Sequence, residues 1–242
     1  MSKEPQTEAR EPRFTFSFQP IVDVKAREVF SYEALIRGVG GEPAGRILEQ
    51  VPVEQILQFD QKARAAAIGL AARLGIGARL NLNFVPHGLN SPASILTTLE
   101  AAKQNHICIE RLVLEVTEGT LIEDQAQFAL RMNEFRGQGL NVAIDDFGAG
   151  YSGLNLLADF QPDLVKLDMK LVRGIERHGP RQAIVRAIIQ VCYDLGIDVI
   201  AEGVETVEEY YWLNNAGVRL YQGYLFAKPA FESFPAVHFP EI

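Results

Sequence analysis

Short apolar runs alternate along this chain with longer segments whose apolar positions recur every three or four residues. Phe14–Val22 and Glu28–Ile36 read as two strands joined by a turn around Asp23–Arg27. From about Val53 to Leu74 the residues Ile56, Phe59, Ala63, Ala66, Ala67 and Leu70 keep helical spacing, and Gly75 and Gly77 end the run. Further strands are predicted at Arg79–Phe84, Leu112–Val116, Leu140–Ile144, Leu164–Leu167, Asp198–Ala201 and Arg219–Gln222. Helices are predicted near Ala93–Gln104, Asp124–Arg136, Pro180–Leu195 and Thr206–Asn215. Within Pro180–Leu195, the stripe Ile184, Ile188, Val191 and Leu195, widened by Val185, Ile189 and Cys192, is assigned to core packing. Strand–helix units repeat without a low-complexity break, which predicts one α/β barrel.

Composition narrows the function classes. With 31 acidic residues against 23 Lys+Arg and a net charge of −8, a nucleic-acid polymer is excluded as the expected partner. No run approaches the roughly 20 apolar residues that span a bilayer, so no membrane insertion is expected. Residues 1–12 are polar, lack a signal-peptide core and read as a disordered tail; residues 13–242 form the domain. A cytoplasmic location and two buried free thiols, Cys108 and Cys192, are the matching expectations.

In a barrel of this kind, chemistry sits at the C-terminal ends of the strands. Polar residues interrupt the apolar strands at just those places: Glu33, Asn81, Glu115, Asp145, Asp146, Lys166, Glu202 and Gln222. Burying an unpaired carboxylate costs several kcal/mol, and one lysine cannot neutralise four or five of them. Divalent cations can, and oxygen ligands with one amide suit hard ions such as Mg2+ or Mn2+. For Asp145 and Asp146 to reach one site, the chain must bend as it enters the loop from Phe147, because strand neighbours point to opposite faces. A bridging Asp145 and a terminal Asp146 would suit two metal ions about 3.5–4 Å apart, an arrangement that serves displacement at phosphorus. Helix capping is the competing explanation, with weight for Asp146 before Gly148–Gly150 and little for Glu33. The four histidines, His87, His106, His178 and His238, are scattered and read as surface or loop residues. No phosphate-binding loop ending in Gly-Lys-Ser/Thr occurs.

Glu33-Ala34-Leu35 followed by Arg37 resembles the signature of the EAL-domain family of cyclic di-GMP phosphodiesterases. The similarity continues, in family order, through Gln19-Pro20-Ile21, Asn81-Leu82-Asn83, Glu115-Val116-Thr117-Glu118, Asp145–Gly150, Lys166-Leu167-Asp168, Ala201–Thr206 and Gln222-Gly223-Tyr224. It covers Phe14 to Pro229. The resemblance implies a modified (βα)8 TIM-like barrel with one antiparallel strand. It implies a first metal ion on Glu33, Asn81, Glu115 and Asp145, and a second on Asp145 and Asp146 with Glu202 as ligand or water-orienting base. Lys166 would meet the attacking water or the scissile phosphate, Arg37 a phosphate, and Gln222 would order the site, with Gln19, Phe226 and Pro229 beside the substrate. Core packing is the alternative for Phe226 and Pro229. Glu118 would steady the loop Asp146–Leu154, or cap the helix that follows it.

The implied activity is metal-dependent hydrolysis of cyclic di-GMP to linear pGpG, with Glu33, Asp145, Lys166 and Glu202 as its catalytic core. A catalytically silent cyclic di-GMP receptor or protein-interaction module is the alternative. The family also implies a homodimer and leaves room for a sensor or regulatory partner. Three positions depart from its pattern: Asn83 and Gly153 stand in place of serines and Ala149 in place of a threonine. None removes an expected ligand; Ala149 bears on the loop.

Overall fold

The computed structural model describes residues 12–85, 93–117, 125–150 and 153–240. Strand β1 (Phe14–Asp23) runs antiparallel to β2 (Glu28–Gly38). From β2 the sheet proceeds through parallel neighbours β3 (Arg79–Asn83), β4 (Leu112–Thr117), β5 (Asn141–Phe147), β6 (Leu164–Leu167), β7 (Asp198–Ala201) and β8 (Leu220–Tyr221). It closes where β8 meets β1, again antiparallel. This is the eight-stranded barrel with one antiparallel strand that the family resemblance implies. A short extra strand, β9 (Ala230–Phe231), pairs antiparallel with β1 at Ser17 and Phe18, where β8 does not reach.

Inside the barrel, Ile21, Val113, Ala143, Leu164, Ile200 and Leu220 form a dry plug of their own. Side chains two residues apart on a strand share a face. The next inward positions towards the C-terminal rim are therefore Glu115, Asp145, Lys166, Glu202 and Gln222, and on the antiparallel β1 the corresponding step leads back to Gln19. One apolar layer thus supports one polar layer, and the polar layer is the candidate site.

Outside the barrel, α2 (Ile56–Arg73) and α3 (Ala93–Gln104) pack together. Arg64 joins them: 2% exposed, it pairs with Asp60, donates to Thr98 Oγ1 (3.0 Å) and the Ser94 carbonyl (2.8 Å), and lies over the Phe84 ring. Beyond α4 (Gln125–Gly137), the helix α7 (Gly179–Leu195) turns Val185, Ile188 and Cys192 to the core. That corrects the predicted stripe by about one position, since Ile184 is 51% exposed and Leu195 sits at the rim. Cys108 is exposed rather than buried, because it lies in the turn before β4. The C-terminal segment covers part of β1 and β2 alongside α1 (Ala44–Leu48) and α2: Phe234 packs on the rings of Phe18 (5.0 Å) and Tyr32 (4.3 Å). Pro12, assigned to the N-terminal tail, is buried.

Among the described residues, β9, α1, α5 (Gly153–Asp159), α6 (Met169–Val172) and the 3-10 turns Ile109–Arg111 and Ile175–Arg177 escaped the hydrophobic pattern. Each is too short to display a period. The last helix, α8 (Val207–Asn215), opens as predicted on Thr206, with a capping box completed by Glu209.

Candidate active site

Lys166 is the hub. Its Nζ lies 2.8 Å from Glu115 Oε1, 2.8 Å from Glu202 Oε1, 3.0 Å from Asp145 Oδ1 and 3.4 Å from Glu33 Oε2, with the side chain 1% exposed. The barrel register explains the convergence: Glu33 sits beside Asn81 across β2–β3, Asn83 beside Glu115 across β3–β4, and Asp145 beside Thr117 across β4–β5. Two amides complete the layer. Asn81 Nδ2 donates to Glu115 Oε1 (2.8 Å), and Gln222 Nε2 donates to Glu33 Oε2 (2.6 Å) and Gln19 Oε1 (3.3 Å). Gln19 in turn donates to the Ala227 carbonyl (3.3 Å).

The predicted bend at Asp145-Asp146 is present. Pairing of β5 with β6 slips between Ile144 and Phe147, and Asp146 has a φ of 54°, in the left-handed region. This bulge turns two consecutive carboxylates towards the same end of the barrel. Oxygens of Asp145, Asp146 and Glu202 lie within 4.8 Å of one another, an arrangement that fits a metal ion.

The electrostatics follow from burial. Burial raises the Glu115 carboxyl well above its usual range, with Lys166 opposing and Glu33 and Asp145 adding to the rise. Glu202 is pushed up to about 8 by burial, against the pull of Lys166 and with Asp145 and Glu33 reinforcing it. Asp146 is raised by burial and by its neighbours Asp145 and Asp168. For Lys166, burial alone would lower the pKa, but four carboxylates outweigh it and hold the ammonium charged. Too many acids therefore share one cation. Among the described residues, three acceptor atoms of this layer, Asn81 Oδ1, Glu115 Oε2 and Gln222 Oε1, are buried without a hydrogen-bond donor. Orphaned acceptors beside surplus carboxylates are the donor set of a hard divalent cation.

Beside this cluster opens a cleft of about 530 Å3 lined by Glu33, Leu35, Arg37, Phe59, Asn83 and Thr117, among others. Arg37 reaches it bonded only to the neighbouring Ile36 carbonyl (2.7 Å) in the described hydrogen bonds and ion pairs. Phe226, expected at the substrate, is 2% exposed and packs against Tyr210 and Tyr221. The structure gives it a core position, because the chain turns inward after Gly223. Pro229 is half-buried, and Glu118 lies outside the described residues.

A family model described as the EAL domain matches residues 3–229. The chain belongs to the EAL domain family. Among curated relatives of this EAL domain, the blue light- and temperature-regulated antirepressor BluF of Escherichia coli K12 is 37% identical over 93% of the chain and 57% of BluF. The cyclic di-GMP phosphodiesterase PdeR of the same organism is 39% identical over 68% of the chain and 24% of PdeR. The chain thus spans little more than half of the one and a quarter of the other. Among solved structures, a standalone EAL protein from Vibrio cholerae O395, bound to c-di-GMP, superposes with a TM-score of 0.90 at 45% identity, covering 94% of this chain and 97% of that one. Klebsiella pneumoniae BlrP1, in a manganese and cyclic di-GMP complex, gives 0.89 at 38% identity over 97% of this chain and 60% of BlrP1.

Two groups at the site carried no role in the sequence reading. Asp168, next after β6, is 5% exposed and caps α6 by accepting from Lys170 N (2.7 Å) while facing Asp146. Its signal was its place in Lys166-Leu167-Asp168. Glu209 is 2% exposed although it stands in a helix first turn. Its local signal was the capping-box spacing from Thr206, which does not show the further bond to Gly174.

Proposed function

We propose that this EAL domain hydrolyses one phosphodiester bond of cyclic di-GMP to give linear pGpG, using two divalent cations, Mg2+ or Mn2+. The observation that carries this reading is the convergence of Glu33, Asn81, Glu115, Asp145 and Glu202 around Lys166, with the Asn81 and Glu115 acceptors left open. Glu33, Asn81, Glu115 and Asp145 would hold one ion, and Asp145, Asp146 and Glu202 the other. Bound there, the ions would neutralise the carboxylate surplus and supply electrostatic activation of water and phosphate.

The chain's own groups have separate tasks. Water oxygen forms the new bond to phosphorus, the bond from phosphorus to the 3′ oxygen breaks, and that oxygen leaves with a proton. Glu202, 2.8 Å from Lys166 Nζ, would serve as ligand to the second ion or as the base that orients the water. Lys166 donates towards the water or the phosphate and offsets the repulsion among the four carboxylates. Gln222 fixes the Glu33 carboxylate, and Gln19 fixes Gln222. Arg37, at the cleft, offers a forked donor to a phosphate. Pro229 lies beside the substrate, and Glu118 steadies the loop after Asp146. The protein works in the cytoplasm as a homodimer, which light scattering at micromolar concentration would test.

Incubation of the protein with cyclic di-GMP, with and without Mn2+, should yield pGpG only with the ion. Turnover in EDTA, or retained turnover in Glu33→Ala, would overturn the mechanism. BluF, named as an antirepressor, motivates a second reading as a silent receptor or interaction module. Tight binding of cyclic di-GMP with no product in Mn2+ would favour it.

A further inference from the structure

We propose that Glu209 is a positioning residue that sets where Glu202 stands relative to Asp146 and Asp168; this rests on the metal-dependent reading above. Its buried carboxylate joins two segments of the rim. Oε1 accepts from Gly174 N (2.9 Å), in the turn that follows α6. Oε2 accepts from Glu205 N (2.9 Å) and Thr206 N (3.2 Å), at the end of the loop that begins at Glu202. A helix cap needs only the second set of bonds. The first is a tie between neighbouring βα units.

Both tied segments carry site residues. At the front of α6 stands Asp168, beside Asp146; at the front of the β7–α8 loop stands Glu202. Between them the packing leaves no slack. A Cβ at Gly203 would fall 2.7 Å from Met169 Cβ, and one at Gly148 would fall 2.4 Å from Leu171 Cδ1. The helix α6 is therefore wedged between the residue after Glu202 and the loop after Asp146. On the surface, Arg173 and Glu205 pair across the same two segments (2.6 Å). That pair is half-exposed and contributes little. The buried carboxylate with three backbone donors is the stronger clamp, since a charged acceptor doubles the strength of such bonds. Releasing it frees α6 and the Glu202 loop to separate, which widens the cluster formed by Asp145, Asp146 and Glu202.

The test compares three variants of the full chain by titration with Mn2+ alone, read by calorimetry or electron paramagnetic resonance. Glu209→Ala removes the tie and half of the cap, and should weaken one Mn2+ site about tenfold, the lower end of what supporting residues contribute to metal affinity. Thr206→Ala removes the other half of the cap but leaves the tie. It should melt earlier and bind Mn2+ as the parent does. Glu209→Gln keeps one oxygen for Glu205 N and Thr206 N and should recover part of the affinity. Equal loss of Mn2+ affinity in Thr206→Ala and Glu209→Ala, or none in Glu209→Ala, would overturn the proposal. A parent that binds two Mn2+ without producing pGpG would refute the enzymatic reading and leave this one standing. A parent that binds none would refute both.

Discussion

Replacing Lys166 with methionine keeps the length of the side chain and removes the one cation that four carboxylates share. The lysine is 1% exposed, and Glu33, Glu115, Asp145 and Glu202 all lie within 3.4 Å of its Nζ. Breaking a buried pair by deleting one partner costs about 3–5 kcal/mol, because the remaining charge stays buried. Four pairs do not multiply that figure, since the freed carboxyls take up protons instead of remaining ionised. For a chain of this size about 3–5 kcal/mol corresponds to a melting point lower by roughly 6–20 °C. The assay is thermal unfolding of parent and variant at neutral pH, once in EDTA and once in saturating Mn2+. In EDTA the full gap is expected. In Mn2+ the gap should shrink, since the ions supply the missing counter-charge, while turnover stays lost. Equal melting in EDTA would show that Lys166 is not the counter-charge. An undiminished gap in Mn2+ would show that the carboxylates do not hold metal.

Other outcomes follow from the same geometry. The metal-free protein should lose stability as pH rises from about 4.5 towards about 8, because buried Glu202, with Glu115 and Asp146 in the same direction, binds protons that the unfolded chain has already released. Urea midpoints across that range should fall in EDTA and flatten in saturating Mn2+. Asn81→Ala removes a buried oxygen that has no donor together with the amide that donates to Glu115 Oε1, so it should cost about 10–100-fold in Mn2+ affinity and about 1–3 kcal/mol of stability in EDTA. Gly223→Ala places a Cβ 2.0 Å from the Val204 carbonyl oxygen, and about 1–3 kcal/mol of destabilisation with reduced turnover is expected as Gln222 is displaced. Phe226→Ala should destabilise by about 3–5 kcal/mol, as a core truncation does, and leave KM for cyclic di-GMP near the parent value.

The strands and the polar layer were legible because both rest on a period of two. Val113 and Glu115, Ala143 and Asp145, Leu164 and Lys166 are pairs that any inward-facing strand of a barrel would show. The rim was less legible. Asp146 reaches the site only through a left-handed residue at a bulge, and sequence could require that bend without showing how it is made. Phe226 follows Gln222 closely, yet the turn at Gly223 sends it into the aromatic cluster of Tyr210 and Tyr221. Arg64 and Asp60 stand one turn apart on α2, and it is the packing of α2 on α3 that covers them. What escaped notice was set by contacts between distant segments, which no local pattern carries.

The polar layer also explains why site and scaffold should respond together. An apolar plug one residue pair below anchors Glu115, Asp145 and Lys166 on their strands and Glu202 and Gln222 just past theirs, so the carboxylates are held close together. Their repulsion must be met by a bound proton, by Lys166 or by a cation. Each of these competes with the others for the same oxygens: Glu115 Oε1 already accepts from Asn81 and pairs with Lys166, while its Oε2 has no donor. Binding of divalent cations therefore releases protons and adds its free energy to folding. A chain with this layer should be stiffest with divalent cations in place, and the ions proposed to serve hydrolysis should raise its melting point.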